Sequence, residues 1–219
     1  MSRATMLFLI LTAVCATAAN AQNTAVQIGA GGGLAITTIT GDDVEDAKNR
    51  NTPFFGGVLV IQKPGSRLGL ETGLLQVPKG ANTSIPGEAG LELAYLEVPL
   101  LVRYSFGPPE AKVAPFLQLG GSMGIKSSCK VTAESVGSSQ KIDCDDPQLL
   151  GLLEFKSLDL GIGGGAGVDI SMGDRWVLSP SVRYTRGLSR LADGVGGDGE
   201  NPDVRNSAFQ VGVILRVRM

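Results

Sequence analysis

Histidine is absent from all 219 residues. That single absence removes His-based acid–base catalysis, the Ser/His and Cys/His nucleophile pairs, and the commonest metal ligand. Charge is sparse as well. Asp, Glu, Lys and Arg make up 18% of the chain and leave a formal net charge of −2, which offers no basic field to nucleic acid or to an anionic surface. Aromatic residues reach only 5%. No segment supplies the roughly twenty consecutive apolar residues of a transmembrane helix. Cysteine occurs three times, at positions 15, 129 and 144; without CxxC spacing or histidine, these residues do not form a zinc pattern.

What the chain has in quantity is glycine, 31 residues, and strict alternation. The alternation is most extended from Leu91 to Phe106. Ala94, Leu96, Val98, Leu100, Val102, Tyr104 and Phe106 occupy one parity, while Tyr95, Glu97, Arg103 and Ser105 occupy the other. A period of two is the mark of a strand with two different faces. The run is also long enough for a tilted strand to cross a bilayer, which takes about 9–11 residues.

Seven further segments share this pattern: 26–38, 54–62, 68–77, 114–125, 155–170, 176–187 and 207–219. With Leu91–Phe106 they make eight strands, an even number. The connections alternate too, short after the second, fourth and sixth strands and long after the first, third, fifth and seventh. An up-and-down barrel with short periplasmic turns and long external loops has that asymmetry. The expected fold is therefore all-β, an eight-stranded antiparallel up-and-down transmembrane β barrel. Pro99 lies inside a strand of a closed barrel, where proline cannot donate to the ladder, so a bulge is expected there; Pro180 raises the same question.

Alternation alone does not say whether the apolar face meets lipid or a core. The opposite face is mostly Gly, Ser and Thr with isolated charges, which suits the narrow interior of an eight-stranded barrel. Phe54, Phe55, Tyr104, Phe106, Phe116, Trp176 and Tyr184 fall near strand ends, as the aromatic girdles of membrane barrels do. The apolar face is therefore assigned to lipid. A soluble ligand-binding barrel with its faces inverted, and an exported β sandwich, are the alternatives. On this assignment Glu71, Glu97, Arg103, Asp159, Asp169, Arg183 and Arg216 point into the barrel. Four acids and three bases in so narrow a space are expected to pair, because an isolated buried charge costs several kcal/mol. The expected outcome is a plug of ion pairs; a selective polar path is the alternative.

Arg3, the apolar run Met6–Val14 and the small-x-small sequence Ala19-Asn20-Ala21 form a cleavable export signal over residues 1–21, leaving residues 22–219 as the barrel domain. Val14 is bulky where a lipoprotein signal carries a small residue, so Cys15 is not read as a lipidation site. In an exported chain Cys129 and Cys144 read as a disulfide, with two free thiols as the alternative. The bond would close a loop of about 15 residues and stabilise the fold by about 3 kcal/mol in the chain-entropy model.

YLEVPLLVRY at 95–104, GIGGGAGVDI at 161–170 and SVRYTRGLSRL at 181–191, followed by a final alternating strand, resemble a known family. The resemblance is to the exported outer-membrane β-barrel domain proteins of the "porin family" type found in Bacteroidetes-like bacteria, and it covers about residues 25–219. It implies an eight-stranded outer-membrane barrel, with no agreed substrate and no catalytic residues. Many outer-membrane barrels end in an aromatic residue that the assembly machinery reads; Met219 stands in that place here.

Other motifs carry less. Gly29–Leu34 and Gly161–Gly167 are glycine-rich but sit inside alternating strands, without the strand–turn–helix context of a dinucleotide site. A lipid hydrolase would need a base for its serine, and only an unsupported Ser/Lys pair is available. Asp42, Asp43, Asp143, Asp145, Asp146, Asp198 and Asp203 lack the spacing of a calcium loop. No enzyme activity, cofactor or metal is expected. The expected role is a structural or adhesive scaffold in the bacterial outer membrane, held by lipid and presenting its loops to an extracellular ligand, with a narrow pore for small solutes as the alternative.

Overall fold

The computed structural model describes residues 24–40, 49–81, 90–108, 111–135, 138–143, 154–155, 157–189, 192–193 and 205–219. Every described element is a strand: β1 (Ala25–Thr40), β2 (Arg50–Gln62), β3 (Leu68–Ala81), β4 (Gly90–Ser105), β5 (Val113–Ser135), β6 (Ser138–Asp143), β7 (Glu154–Phe155), β8 (Leu158–Met172), β9 (Trp176–Gly187), β10 (Ala192–Asp193) and β11 (Arg205–Arg218). Eight of them run in the order β4-β3-β2-β1-β11-β9-β8-β5, and pairing of β4 with β5 closes the barrel. All pairings are antiparallel, and closure leaves the barrel without an edge strand.

The short turns, at residues 63–67, 106–112 and 173–175, lie at one end. Gly65 and Gly173 have φ of 74° and 69°, the left-handed region that glycine enters without a Cβ clash, and Ser66 N donates to Lys63 O at 3.0 Å to close the first turn. The strand ends that lead into the long connections lie at the other end, where several strands run further than their sequence pattern suggests. β3 continues through Pro78 and Lys79 to Ala81, in a segment expected to be loop. The segment 126–154, expected to be one break, instead extends β5 to Ser135 and returns as β6, a hairpin in register from Lys130↔Asp143 to Ser135↔Ser138. The two short strands β7 and β10 pair with each other outside the barrel sheet.

Pro99 does not form the expected bulge. Its register with β5 is continuous through Pro99↔Ser122, and the register with β3 is the same on either side of it. What changes is the β3 ladder, which lacks the two pairs opposite Val98 and Pro99 and resumes at Leu75↔Glu97. The missing N–H thus interrupts one ladder locally without displacing the strand. Pro180 behaves alike: β8 and β9 pair at Gly167↔Ser181 and at Ile170↔Leu178, with the two pairs between them missing. The register shift of β4 lies elsewhere, between Ala94 and Tyr95, where Ser127 is the extra residue on β5 and its Oγ donates to Ala94 O at 3.0 Å.

The faces are oriented as the alternation required. Ile28, Leu34, Leu70, Leu100, Val102, Leu117, Leu119, Leu158, Leu160, Ile162, Val211 and Val213 all face outward and are exposed on the barrel wall. Polar, charged and small residues line the interior together with apolar side chains, among them Val60, Leu93, Leu101 and Val177 and a cluster of Val58, Leu75 and Val77 against which Ile214 packs. A soluble barrel with an apolar interior is incompatible with this orientation. Two members of the expected aromatic girdle are misplaced, however. Phe54 and Phe116 are buried inside the barrel, whereas Phe55, Tyr104, Phe106, Trp176 and Tyr184 are on the outer wall. Both inward rings lie over glycines. A Cβ on Gly212 would come within 2.7 Å of Phe54 Cζ, and one on Gly167 within 2.4 Å of Phe116 Cζ.

Candidate functional site

Each inward charge follows from strand parity. Glu71 and Lys79 lie on β3, Glu97 and Arg103 on β4, Asp159 and Asp169 on β8, Arg183 on β9 and Arg216 on β11. Each belongs to the inward parity of its strand, and all are buried except Asp169, whose side chain is 15% exposed. They gather into two clusters at different heights.

The cluster toward the long loops holds Lys79, Glu97 and Asp159. The Lys79 ammonium lies 3.1 Å from Glu97 Oε2 and 2.8 Å from Asp159 Oδ2, so one cation serves two carboxylates from different strands. Its Nζ also stands 5.1 Å from the centre of the buried Tyr95 ring, a cation–π contact. Asn206 Nδ2 donates to Asp159 Oδ2 at 3.4 Å. Lys79 falls outside the inward charges expected from the sequence because it follows Pro78, where alternation predicts the strand to have ended. Carrying the inward parity of Leu75 and Val77 two residues further finds it.

The cluster toward the short turns is larger. Glu71 accepts from Arg103 Nη1 at 3.0 Å and from Arg183 Nη2 at 2.6 Å. With its amide oriented so that Nε2 donates to Glu71 Oε2 at 3.2 Å, Gln118 also accepts from Arg183 at 3.1 Å. Asp169 pairs with Arg103 Nη2 at 2.5 Å and with Arg216, while Ser179 Oγ donates to Asp169 at 2.7 Å and accepts from Arg216 Nη2 at 2.6 Å. The Arg103 guanidinium lies 3.3 Å above the centre of the Phe116 ring. That contact explains why an aromatic residue stands inside: it covers the cation that joins the two carboxylates.

Counted over both clusters, four acids meet four bases. The split is uneven: one base and two acids on the loop side give −1, and three bases and two acids on the turn side give +1. Glu97 on β4 stands opposite Leu75, four residues from Glu71 on β3, about 13 Å along an extended strand. At an effective dielectric of about 20, unit charges at that distance attract by only about 1.3 kcal/mol, so each cluster offsets the other's excess charge only weakly.

Among the described residues no group of three or more Asp, Glu, Cys or His is placed to hold a metal ion. Cys144 and the side chain of Cys129 lie outside the described residues, as do residues 1–21 and the side chains of all seven loop aspartates.

A closed antiparallel barrel with a lipid-compatible apolar wall and a buried ionic interior defines an integral outer-membrane β-barrel protein. The family model "Outer membrane protein beta-barrel domain" matches residues 20–193, and the chain belongs to that family. Its place is the bacterial outer membrane, where the outward apolar residues meet lipid. No curated protein matches the chain by sequence. Among solved structures, the chain is similar to the outer membrane protein OprG from Pseudomonas aeruginosa, with 13% identity and a TM-score of 0.48 over 90% of this chain and 96% of that one. It is similar to Ail of Yersinia pestis in complex with the heparin analogue sucrose octasulfate, with 16% identity and a TM-score of 0.44 over 89% and 99% of the two chains. It is also similar to Neisserial surface protein A, with 13% identity and a TM-score of 0.43 over 90% and 97%.

Proposed function

We propose that the protein is a non-enzymatic anchored scaffold: a solid barrel that holds its long loops outside the cell for contact with an extracellular ligand, after export directed by residues 1–21. The observation that carries this reading is the crossing of the lumen by paired side chains. Glu71 on β3 is held by Arg103 on β4 and by Arg183 on β9, and Asp169 on β8 ties the same Arg103 to Arg216 on β11. Ions passing through would have to break pairs that are themselves buried, and a polar path would leave the freed charges in a low-dielectric wall. The β5–β6 hairpin, which rises beyond the barrel pairing on the loop side, supports the display role.

Planar-bilayer recording tests the solid interior. The purified protein is expected to insert without discrete conductance steps. Reproducible single-channel steps that change when Glu71 or Arg183 is substituted would establish the narrow pore instead. An epitope inserted between Gly196 and Gly197 is expected to react with antibody on intact cells; reaction only after permeabilisation would refute the display of this segment.

A further inference from the structure

Between the two ionic clusters the lumen contains a cavity of about 20 Å³, room for about one water-sized particle. Its walls are mostly apolar, including Phe54, Val58 and Leu75, and its polar lining is Ser181, Arg183 and Gln210. No carboxylate lines it among the described residues. Gln210 and Arg183 are directly opposed on β11 and β9, which sets both on the same side of the space. Gln210 is 3% exposed, and its Nε2 finds no acceptor among the described residues. A buried donor left without an acceptor is costly, so this one points to an acceptor held in the cavity.

We propose that the cavity binds a single-atom anion, a halide such as chloride, between Gln210 Nε2 and Arg183. Three features select that chemistry. Among the described residues the adjoining cluster of Glu71, Asp169, Arg103, Arg183 and Arg216 carries one excess positive charge, and the loop-side cluster offsets it only weakly. The polar residues that line the space are Gln210, with its unpaired amide donor, Ser181, with a hydroxyl able to donate, and Arg183, whose guanidinium is held by Glu71 and Gln118 but whose positive charge attracts an anion and repels a metal cation. The volume suits one atom of this size better than sulfate, phosphate or an organic acid. The anion is enclosed as the barrel forms, completing the charge balance of the turn-side cluster.

The test uses the full barrel refolded in detergent, with its urea-unfolding midpoint measured in sodium chloride, sodium bromide and sodium gluconate at equal ionic strength. Chloride and bromide are expected to raise the midpoint saturably, with the folded-to-unfolded ratio about elevenfold higher at ten times the dissociation constant. Gln210→Leu, which keeps the volume and removes the donor, is expected to abolish the difference between chloride and gluconate. Equal midpoints in chloride and gluconate would mean that the cavity holds water and would overturn the proposal. A halide effect that survives in Gln210→Leu would be a general salt effect and would overturn it equally. Should Gln210→Leu fail to fold, crystals of the unaltered protein grown in bromide decide the matter. An anomalous peak between Gln210 and Arg183 is expected, and scattering there no stronger than water refutes the site.

Discussion

Lys79 on β3 and Asp159 on β8 meet with Nζ 2.8 Å from Oδ2, although 80 residues separate them in the chain and their strands are not neighbours in the sheet. The contact crosses the lumen and shares the ammonium with Glu97. It ties opposite walls of the barrel near the loop end.

Replacing Lys79 by methionine keeps the length of the side chain but leaves two buried carboxylates with no cation. The expected cost is about 3–5 kcal/mol, read as a lower urea midpoint in detergent-refolded protein. Lys79→Arg is expected to recover most of the loss, because a guanidinium can still face both acids. A Lys79→Met midpoint equal to that of the parent would show that the ammonium is not the partner of these acids.

Glu97→Gln and Glu71→Gln are the same change with opposite electrostatic consequences. The first brings the loop-side cluster from −1 to neutral, with Lys79 still paired to Asp159. The second takes the turn-side cluster from +1 to +2 and frees both Arg103 and Arg183 from their shared acid. Glu97→Gln is expected to change stability by less than about 1 kcal/mol, and Glu71→Gln to cost about 3–5 kcal/mol. Equal costs in parallel unfolding curves would mean that the two clusters are not balanced separately.

Leu100 is 58% exposed on the outer wall of β4. Leu100→Arg is expected to cost about 2–4 kcal/mol if the residue lies at the bilayer midplane, measured by refolding into lipid vesicles. Indifference to the change would place this stretch of the wall outside the hydrocarbon.

Glycines of the two faces are expected to differ. A Cβ at inward Gly167 would meet Phe116 Cζ at 2.4 Å and Pro180 O at 2.6 Å, whereas one at outward Gly57 meets only Gly29 O at 3.6 Å. Gly167→Ala is expected to cost about 1–3 kcal/mol by overpacking, and Gly57→Ala to be near neutral. The loss of the fast-migrating unboiled form on a gel at a lower temperature for Gly167→Ala alone would bear this out.

Much of this architecture is legible in the sequence because a strand's two faces alternate with a period of two. Once Leu96, Leu100 and Val102 are placed on one face, Glu97 and Arg103 must fall on the other. The same rule, applied without exception, would have placed Phe116 inside with Gln118, and would have carried β3 past Pro78 to Lys79. Residue type points the other way in both cases: an aromatic near a strand end has the character of a girdle residue, and a proline that of a strand end. The β5–β6 extension was hidden because its polar residues, from Lys130 to Asp143, match those of a solvated loop.

The sequence alone determined the eight barrel strands, most of their faces and all but one of the charges that turn inward, since these depend only on local alternation and on where turns interrupt it. Only the tertiary structure decided which acid meets which base. Across a closed barrel the neighbours of an inward side chain are set by stagger and tilt, which couple every register around the ring. Thus Glu71 meets Arg183 across 112 residues of chain, and one positive charge remains beside a cavity whose unpaired amide calls for an anion.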